Sequence, residues 1–390
     1  MKKKNSLAFI GNYLDKHLHI VAFDVPYPAD YGGVTDVFYR IQWLHKAGIK
    51  IHLHCFTKGR APQEILKTLC ESINYYQRAS PLASLSLSMP YIVQSRKNID
   101  LQTKLMQDNY PILIEGVHCS AILLNPAFKN RQVLLRQHNL EYRYYAKLAG
   151  VEKNIFKRIY FSVESKLLKK YEEIISGKAL LLPINENDLQ IFTSEFRAVN
   201  PVVLPAFTPW NQVKSRTGRG DYCLYHGNLS VVENDHAVRW LIEKVFDKLS
   251  VKLIIAGKLP SAGLISLAKS IPNVSLMANP TDAELQILIE HAHINVLPSF
   301  NNTGLKLKLL NALFNGRYCI VTRETVMGSG LEDLCIISAD PGDFSHQVMT
   351  LLQKDFSEAD RNQREEILFR DYDNQKNTDL LSSLIRWHYQ

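Results

Sequence analysis

The sequence predicts an α/β protein built of two doubly wound domains that face each other across a cleft. Three observations lead there. Short apolar, β-branched runs alternate with helix-period segments along most of the chain, the β-α-β rhythm of a parallel sheet covered by helices. At 390 residues the chain is longer than one ordinary core. A stretch rich in proline, glycine and polar residues, PAFTPWNQVKSRTGRGD (205–221), separates two such series and reads as a linker.

In order, LHIVAFDV (18–25) is the first expected strand. GVTDVFYRIQWLHKAG (33–48) has apolar residues at helical spacing and Gly48 as a stop, and IKIHLHCF (49–56) follows as a second strand. PILIEGV (111–117), RQVLLRQHN (131–139) and KALLLPIN (178–185) continue the buried series. After the linker come YCLYHGNLS (222–230), VKLIIAG (251–257), VSLMA (274–278), HINVLPSF (293–300) and YCIVT (318–322). The expected division is 1–207, 208–366, and a helical segment 367–390 that crosses back to the first domain. In sheets of this kind ligands sit outside the C-terminal strand ends, so two facing sheets enclose a cleft.

Composition narrows the function. With 46% hydrophobic and 22% charged residues the chain is globular, and no apolar run approaches the roughly 20 residues that span a bilayer. LAFIG near the N-terminus is too short for a secretory core, and the scattered cysteines (Cys55, Cys70, Cys119, Cys223, Cys319, Cys335) form no C-x-x-C pair. Both point to a cytoplasmic protein with reduced thiols. Residues 1–205 carry 27 Lys/Arg against 17 Asp/Glu, while residues 206–390 carry 19 against 21. The positive excess therefore lies in the N-terminal half, where an anionic partner is expected. VEKNIFKRIYFSVESKLLKKYEEII (151–175) interleaves basic and apolar residues; it is either a helix lying on an anionic membrane at the inner face or an ordinary helix with a wet basic rim. Nucleic acid is not an expected partner, because no recognition motif or basic-aromatic repeat accompanies the charge. Asp371-Tyr-Asp373 is formally Asp-x-Asp but lies in a polar segment with no strand before it and reads as a solvated turn or a helix start; no metal site is expected.

One corner draws attention: PSFNNTGLKLKLLNALFNGRYCIVT (298–322). A strand ends in capping residues and a glycine, and Leu305, Leu309, Leu310, Leu313 and Phe314 then fall at helical spacing. Gly316 is the stop and Asn315 the last helical residue. A strand over LKLKLL competes for six residues; the longer spacing favours the helix. A glycine at a helix start lets an anion reach free backbone N–H groups, and Lys306, placed in the first turn, adds charge. Lys306 and Lys308 do not share a face.

This stretch resembles the donor-site segment of the retaining, nucleotide-sugar-dependent glycosyltransferases of family 4, in the subgroup with a Gly-x-(Lys/Arg)-Leu-Lys pattern. Further similarity lies in YHGNLSVVENDHAVRWL, LIIAGKLP, the PYPADYGGVTDVFYRIQWLHKAGIKIHLHCF opening and RQHNLEYRYY. The resemblance implies the GT-B fold, two Rossmann-like domains. It also implies sugar transfer from a nucleoside-diphosphate sugar to a glycan or lipid-linked saccharide in cell-surface polysaccharide or glycoconjugate synthesis, with no cofactor besides that donor. Two glutamates of the family's pattern would fall on Thr303 and Asn311, and two cations near Asn228 and Glu233. This sequence has none of them, so a catalytically silent GT-B module that binds nucleotide or glycan within an assembly is the alternative expectation.

The expected donor-binding residues are Gly32, Gly33, Gly227, Asn228, Lys258, Thr303, Gly304, Lys306 and Asn311. Gly32-Gly33 also reads as a simple tight turn. The expected catalytic residues are His118, just past a buried strand where the family places a histidine against donor sugar or acceptor, and His138, where an acceptor-side role stands level with helix capping. Glu115 is expected to be a buried structural carboxylate, and Glu186 and Asp188 to cap a helix.

Overall fold

A computed structural model of the chain describes residues 15–84, 86–152, 154–300 and 306–387. It contains two six-stranded sheets in which every pairing is parallel. The first runs β3-β2-β1-β4-β5-β6, with β1 His17–Ala22, β2 Lys50–Thr57, β3 Ser72–Gln77, β4 Ile112–Glu115, β5 Val133–Gln137 and β6 Leu180–Pro183. The second runs β12-β11-β10-β7-β8-β9, with β7 Cys223–Asn228, β8 Leu253–Lys258, β9 Val274–Ala278, β10 Ile294–Val296, β11 Tyr318–Val321 and β12 Ile336–Ile337. Counted within its own half, each sheet has the same doubly wound order. Each therefore reverses direction once, between β1 and β4 and between β7 and β10, and such switch points are where these sheets hold ligands.

The strands read as continuous apolar runs because both faces are covered. Ile112, Ile114, Val133 and Leu135 fill one core of the first lobe, while Leu113 and Leu134 fill the other. In the second lobe Cys223, Tyr225, Leu253 and Ile255 face the large core, and Leu224 and Ala256 face a smaller one with Ile289 and Ala292. Successive side chains leave a strand on opposite faces, so each sheet needs helices on both sides.

Two strands had no counterpart in the sequence reading. β3, SINYYQ, is a half-buried edge strand in which Tyr76 is the one buried residue, so it lacks the apolar signature of a covered strand. β12 has two residues, below the length at which a pattern exists. The contested corner forms a helix, Leu307–Asn315, closed by Gly316. It starts later than expected. Lys306, at φ −87° and ψ 89°, precedes the first turn, because that ψ lies outside the helical region. Asp373 caps the last helix, Asn374–Leu384, by accepting the N–H groups of Gln375 and Lys376. The cap of the Glu186–Ser194 helix is Asn185, which accepts the Asp188 N–H; Glu186 and Asp188 are the acidic residues of its first turn and not its cap.

The chain passes between lobes twice, and the two passages are tied together. The Thr208 N–H donates to Asn374 Oδ1 at 3.0 Å, and Asn374 Nδ2 donates to the Thr208 carbonyl at 2.8 Å. Before this point Leu368 and Tyr372 pack in the second lobe's core; beyond it Leu381 and Ile385 pack in the first lobe's.

Candidate active site

Between the lobes lies a cavity of about 520 Å³. Its N-terminal wall is made by residues just past the strand ends: Phe23 and Asp24 after β1, Arg78 after β3, Gly116 and His118 after β4, His138 and Asn139 after β5. The glycine-led start of the Gly32–Lys46 helix closes one side. Glu233, Lys306 and Leu307 come from the second lobe. The walls meet where Gly32 faces Leu307: a Cβ on that glycine would lie 3.8 Å from Leu307 Cδ1.

Under the N-terminal wall lies a buried charge network. Asp36 Oδ2 accepts from Arg40 Nη1 and Arg136 Nε, each at 3.1 Å, and its Oδ1 accepts the Phe207 N–H at 2.8 Å. Arg40 Nη2 donates to Glu115 Oε2 at 2.5 Å, so Glu115 is a buried structural carboxylate. Arg136 also donates to the Leu204 carbonyl. Burial by itself raises the Asp36 carboxyl, but Arg136, Arg40 and His138 outweigh it and hold the group well below the usual carboxylate range. His138 sits between the two acids, 3.1 Å from Glu115 Oε2 and 3.5 Å from Asp36 Oδ2, with Phe23 edge-on to its ring. Asp36 and Glu115 are thus committed to ion pairs.

His118 is different. Its ring packs on Phe23 at 5.4 Å between centroids, and its buried Nδ1 has no hydrogen-bond partner among the described residues. Burial, then Arg96, His138 and Arg78, push its pKa well below the ordinary value. At neutral pH it is an uncharged imidazole that lines the cavity, with Nδ1 buried against Gly116. Gly116 permits this placement. Its φ of +71° favours glycine, and a Cβ there would come 3.0 Å from His118 Nδ1. Gly33 is equally constrained, since a Cβ would come 2.7 Å from Phe23 Cζ. Glu141, buried at the cavity, has its pKa raised to about 7 by burial, against Asn139 and Arg96. A carboxyl poised near neutrality can give or take a proton.

On the opposite wall, burial lowers the pKa of Lys306, with Glu233 opposing. Lys308 turns away: its Nζ donates to Tyr225 Oη and Asn234 Oδ1, both at 3.0 Å, and lies over the Tyr225 ring. Burial and Lys306 push it down to about 7.

Of the residues singled out from sequence, Gly32, Gly33, His118, His138 and Lys306 line the cavity. Gly227, Asn228, Lys258 and Asn311 do not. Gly227 and Asn228 end β7 beside Lys258 on β8, where Asn228 Oδ1 accepts from Ser230. The Asn311 amide oxygen accepts from Asn315 Nδ2 at 2.9 Å. Thr303 and Gly304 lie outside the described residues. Arg78 and Arg96 went unremarked in the sequence. Arg78 follows the edge strand that carries no apolar pattern, and Arg96 follows the four-residue helix Tyr91–Gln94. Recognising SINYYQ as a strand would have placed Arg78 at its C-terminal end. Among the described residues no group of His, Cys, Asp or Glu is arranged to hold a metal ion.

Residues 220–354 match the family described as Glycosyl transferases group 1. A Klebsiella pneumoniae protein described as an uncharacterized 44.6 kDa protein in a cps region is 29% identical over 331 residues, covering 80% of this chain and 84% of that one. Among solved structures, a mutant of S. aureus TarM in complex with fondaparinux, alpha-GlcNAc-glycerol and UDP superposes with a TM-score of 0.65 at 12% identity, over 95% of this chain and 99% of that one. WaaG, a glycosyltransferase involved in lipopolysaccharide biosynthesis, gives 0.63 at 11% identity, over 94% and 99%. The two-lobed architecture is the GT-B fold, and the match to the glycosyl transferases group 1 family lies in its second lobe.

Proposed function

We propose that the protein transfers a sugar from a nucleoside-diphosphate sugar to a glycan or lipid-linked saccharide in cell-surface polysaccharide synthesis. The observation that carries this is the meeting of the two lobes: Lys306, at the start of the Leu307–Asn315 helix, and the glycine-led start of the Gly32–Lys46 helix close on one polar cavity. The match of residues 220–354 and the relative in a cps region support the reading.

In this reading the donor's diphosphate lies by Lys306, whose charge stabilises the leaving group. His118, neutral and lining the cavity, holds a sugar or acceptor hydroxyl. Transfer retains the anomeric configuration. Asp36 and Glu115 are locked by arginines, so the departing phosphate takes the acceptor proton, with Glu141 as the nearby group able to relay it.

The test is a thermal-shift screen of nucleoside diphosphates followed by transfer assays across their sugars. One nucleotide should raise Tm, and its sugar should turn over. A hydrogen bond from a charged donor contributes about 1.5–3 kcal/mol, so Lys306→Ala should raise the donor KM about tenfold or more. Unchanged donor kinetics would remove Lys306 from the site. The silent-module reading is supported by the glutamates missing at Thr303 and Asn311 and by Glu233 at the cavity; tight nucleotide binding with no turnover on any donor would favour it.

The Ile155–Ser176 helix supports a place of action at a membrane surface. Leu168, Tyr171 and Ile175 pack inward, while Phe156 is 80% exposed and Ile155, Ile159 and Val163 are also exposed, beside Lys157 and Arg158. An apolar, basic turn of this kind fits an anionic membrane surface. No helix among the described residues is long and apolar enough to cross one. Co-sedimentation with phosphatidylglycerol vesicles should exceed that with phosphatidylcholine and fall for Phe156→Asp; equal recovery on both vesicles would refute the membrane role.

A further inference from the structure

The N-terminal wall of the cavity holds two arginines that nothing above employs. Arg78 makes no side-chain hydrogen bond and no ion pair among the described residues, and its buried Nε has no partner. Arg96 is 6% exposed; its Nε donates to the Phe23 carbonyl at 3.2 Å and its Nη1 to the Ile92 carbonyl at 2.8 Å. Neither bond supplies a counter-charge, and Arg96 too forms no ion pair among the described residues. The two guanidinium groups are close enough that each bears on the other and on His118.

Among the described residues of this wall Asp24 is the one carboxylate neither held by an arginine nor raised by burial, and it acts on Arg96 without forming an ion pair. Asp24 accepts from the Val25 N–H at 2.8 Å and from Tyr31 Oη at 3.1 Å. Asp36 and Glu115 belong to Arg40, Arg136 and His138. Glu141 is raised to about 7 and gives at most part of a charge. A buried cation without an ion-pair partner is unfavourable, and here buried Arg96 shares one wall with half-buried Arg78 and an uncharged imidazole. A guanidinium is shaped to take two oxygens of a carboxylate or phosphate in parallel.

We propose that Arg78 and Arg96 form an oxyanion subsite on the N-terminal wall that binds a phosphate or carboxylate carried by the acceptor saccharide. The assignment to the acceptor rests on the transferase reading, in which Lys306 on the facing wall takes the donor diphosphate. Both arginines sit on the opposite lobe, beside His118, where the accepting hydroxyl is placed. The acceptor is therefore an acidic glycan or a phosphate-linked saccharide, and the arginines select it over neutral sugars.

The experiment is ligand-observed NMR on the full chain with three probes, glucose 6-phosphate, glucuronate and glucose, each with and without saturating UDP or GDP. The charged probes should bind about tenfold more tightly than glucose, with or without nucleotide, and whichever charged probe binds better identifies phosphate or carboxylate as the preferred group. Arg78→Gln and Arg96→Gln should each bring the ratio close to one. Arg78→Gln breaks no side-chain hydrogen bond among the described residues, so it tests the subsite even where Arg96→Gln impairs folding. The proposal is overturned if charged and neutral probes bind alike, if the preference survives Arg78→Gln, or if nucleotide displaces the charged probes, which would give the arginines to the donor. If neither nucleotide binds but the charge preference persists, the donor reading fails and the oxyanion subsite stands.

Discussion

The two walls of the cavity rest on sheets of identical strand order and hold charge in different ways. On the N-terminal wall Asp36, Arg40, Glu115 and Arg136 are fully buried and bonded to one another, and they tie the Gly32–Lys46 helix to β4, β5 and the interlobe linker. On the C-terminal wall Lys306 and Glu233 reach the cavity, while Lys308 is turned inward onto Tyr225 and Asn234. Beneath the first wall these two acids and two arginines neutralise one another and serve as a frame for Gly116 and His118, with Arg78 and Arg96 left outside that network. The second has a cation shifted toward neutrality beside a cavity suited to an anion, and its charge state depends on what is bound.

The sharpest way to break this contrast is to remove one member of the frame. Asp36→Asn leaves Arg40 and Arg136 buried without their shared carboxylate and should destabilise the protein by about 3–5 kcal/mol, read as a lower urea midpoint. Lys306→Ala on the other wall should leave that midpoint nearly unchanged while altering donor kinetics. If Asp36→Asn unfolds at the wild-type midpoint, the network is not a frame.

A somewhat smaller effect separates the lobes by pH. Beneath the first lobe's sheet, β1 and β2 carry a row of imidazoles: His17 meets His52 at 2.8 Å, His19 meets His54 at 2.9 Å, and His54 meets Tyr76 Oη at 2.9 Å. Burial pushes His19 down to about 4, against the pull of Asp108, and His54 down to about 3, with His19 and His52 adding to it. Both folded values lie below the ordinary 6.5, so the unfolded chain binds protons first on acidification. Their contribution is intact above pH 6.5 and is lost as pH falls toward 4, by up to about 3 kcal/mol for each. The second lobe has His226 similarly lowered to about 3 but no such row. Hydrogen exchange at pH 5 should therefore show β1 and β2 losing protection before β7 and β8, and His54→Gln should flatten the pH dependence of Tm. Simultaneous loss in both sheets would remove the distinction.

How much of this was legible in the sequence follows the same division. Runs such as PILIEGV and VKLIIAG announce themselves because strands covered on both faces must be apolar throughout, and the doubly wound architecture followed from their order. SINYYQ escaped because an edge strand needs no such run, and Arg78 was missed with it. The place of Lys306 at the cavity was readable from its position after a glycine, but the helix start was misplaced by the backbone at Lys306 itself. His118 was found by its position past a strand end. The pairing of Asp36 with Arg136 was not, because it joins residues 100 apart and no local period encodes it. Asn228, Lys258 and Asn311 were chosen by resemblance, and they stand away from the cavity.

Lys308 yields the subtlest test. Burial holds its pKa near 7, Lys306 adding repulsion and Glu233 opposing, so close to pH 7.5 its Nζ is only partly protonated. A diphosphate seated by Lys306 adds negative charge to that group of residues and draws the proton back onto Lys308. UDP or GDP binding at pH 7.5 should then be accompanied by uptake of roughly half a proton, seen as a dependence of the calorimetric enthalpy on the ionisation enthalpy of the buffer. In Lys308→Met that dependence should vanish while affinity changes less than in Lys306→Ala. Stability gives an independent reading. Between pH 7 and the ordinary lysine value of 10.5 the unfolded chain binds the extra proton, so wild-type stability gains from this site as pH rises, and the variant should lack that gain. Nucleotide binding with no proton uptake in the wild type would mean that the C-terminal wall is as fixed in charge as the buried Asp36–Arg40–Glu115–Arg136 network.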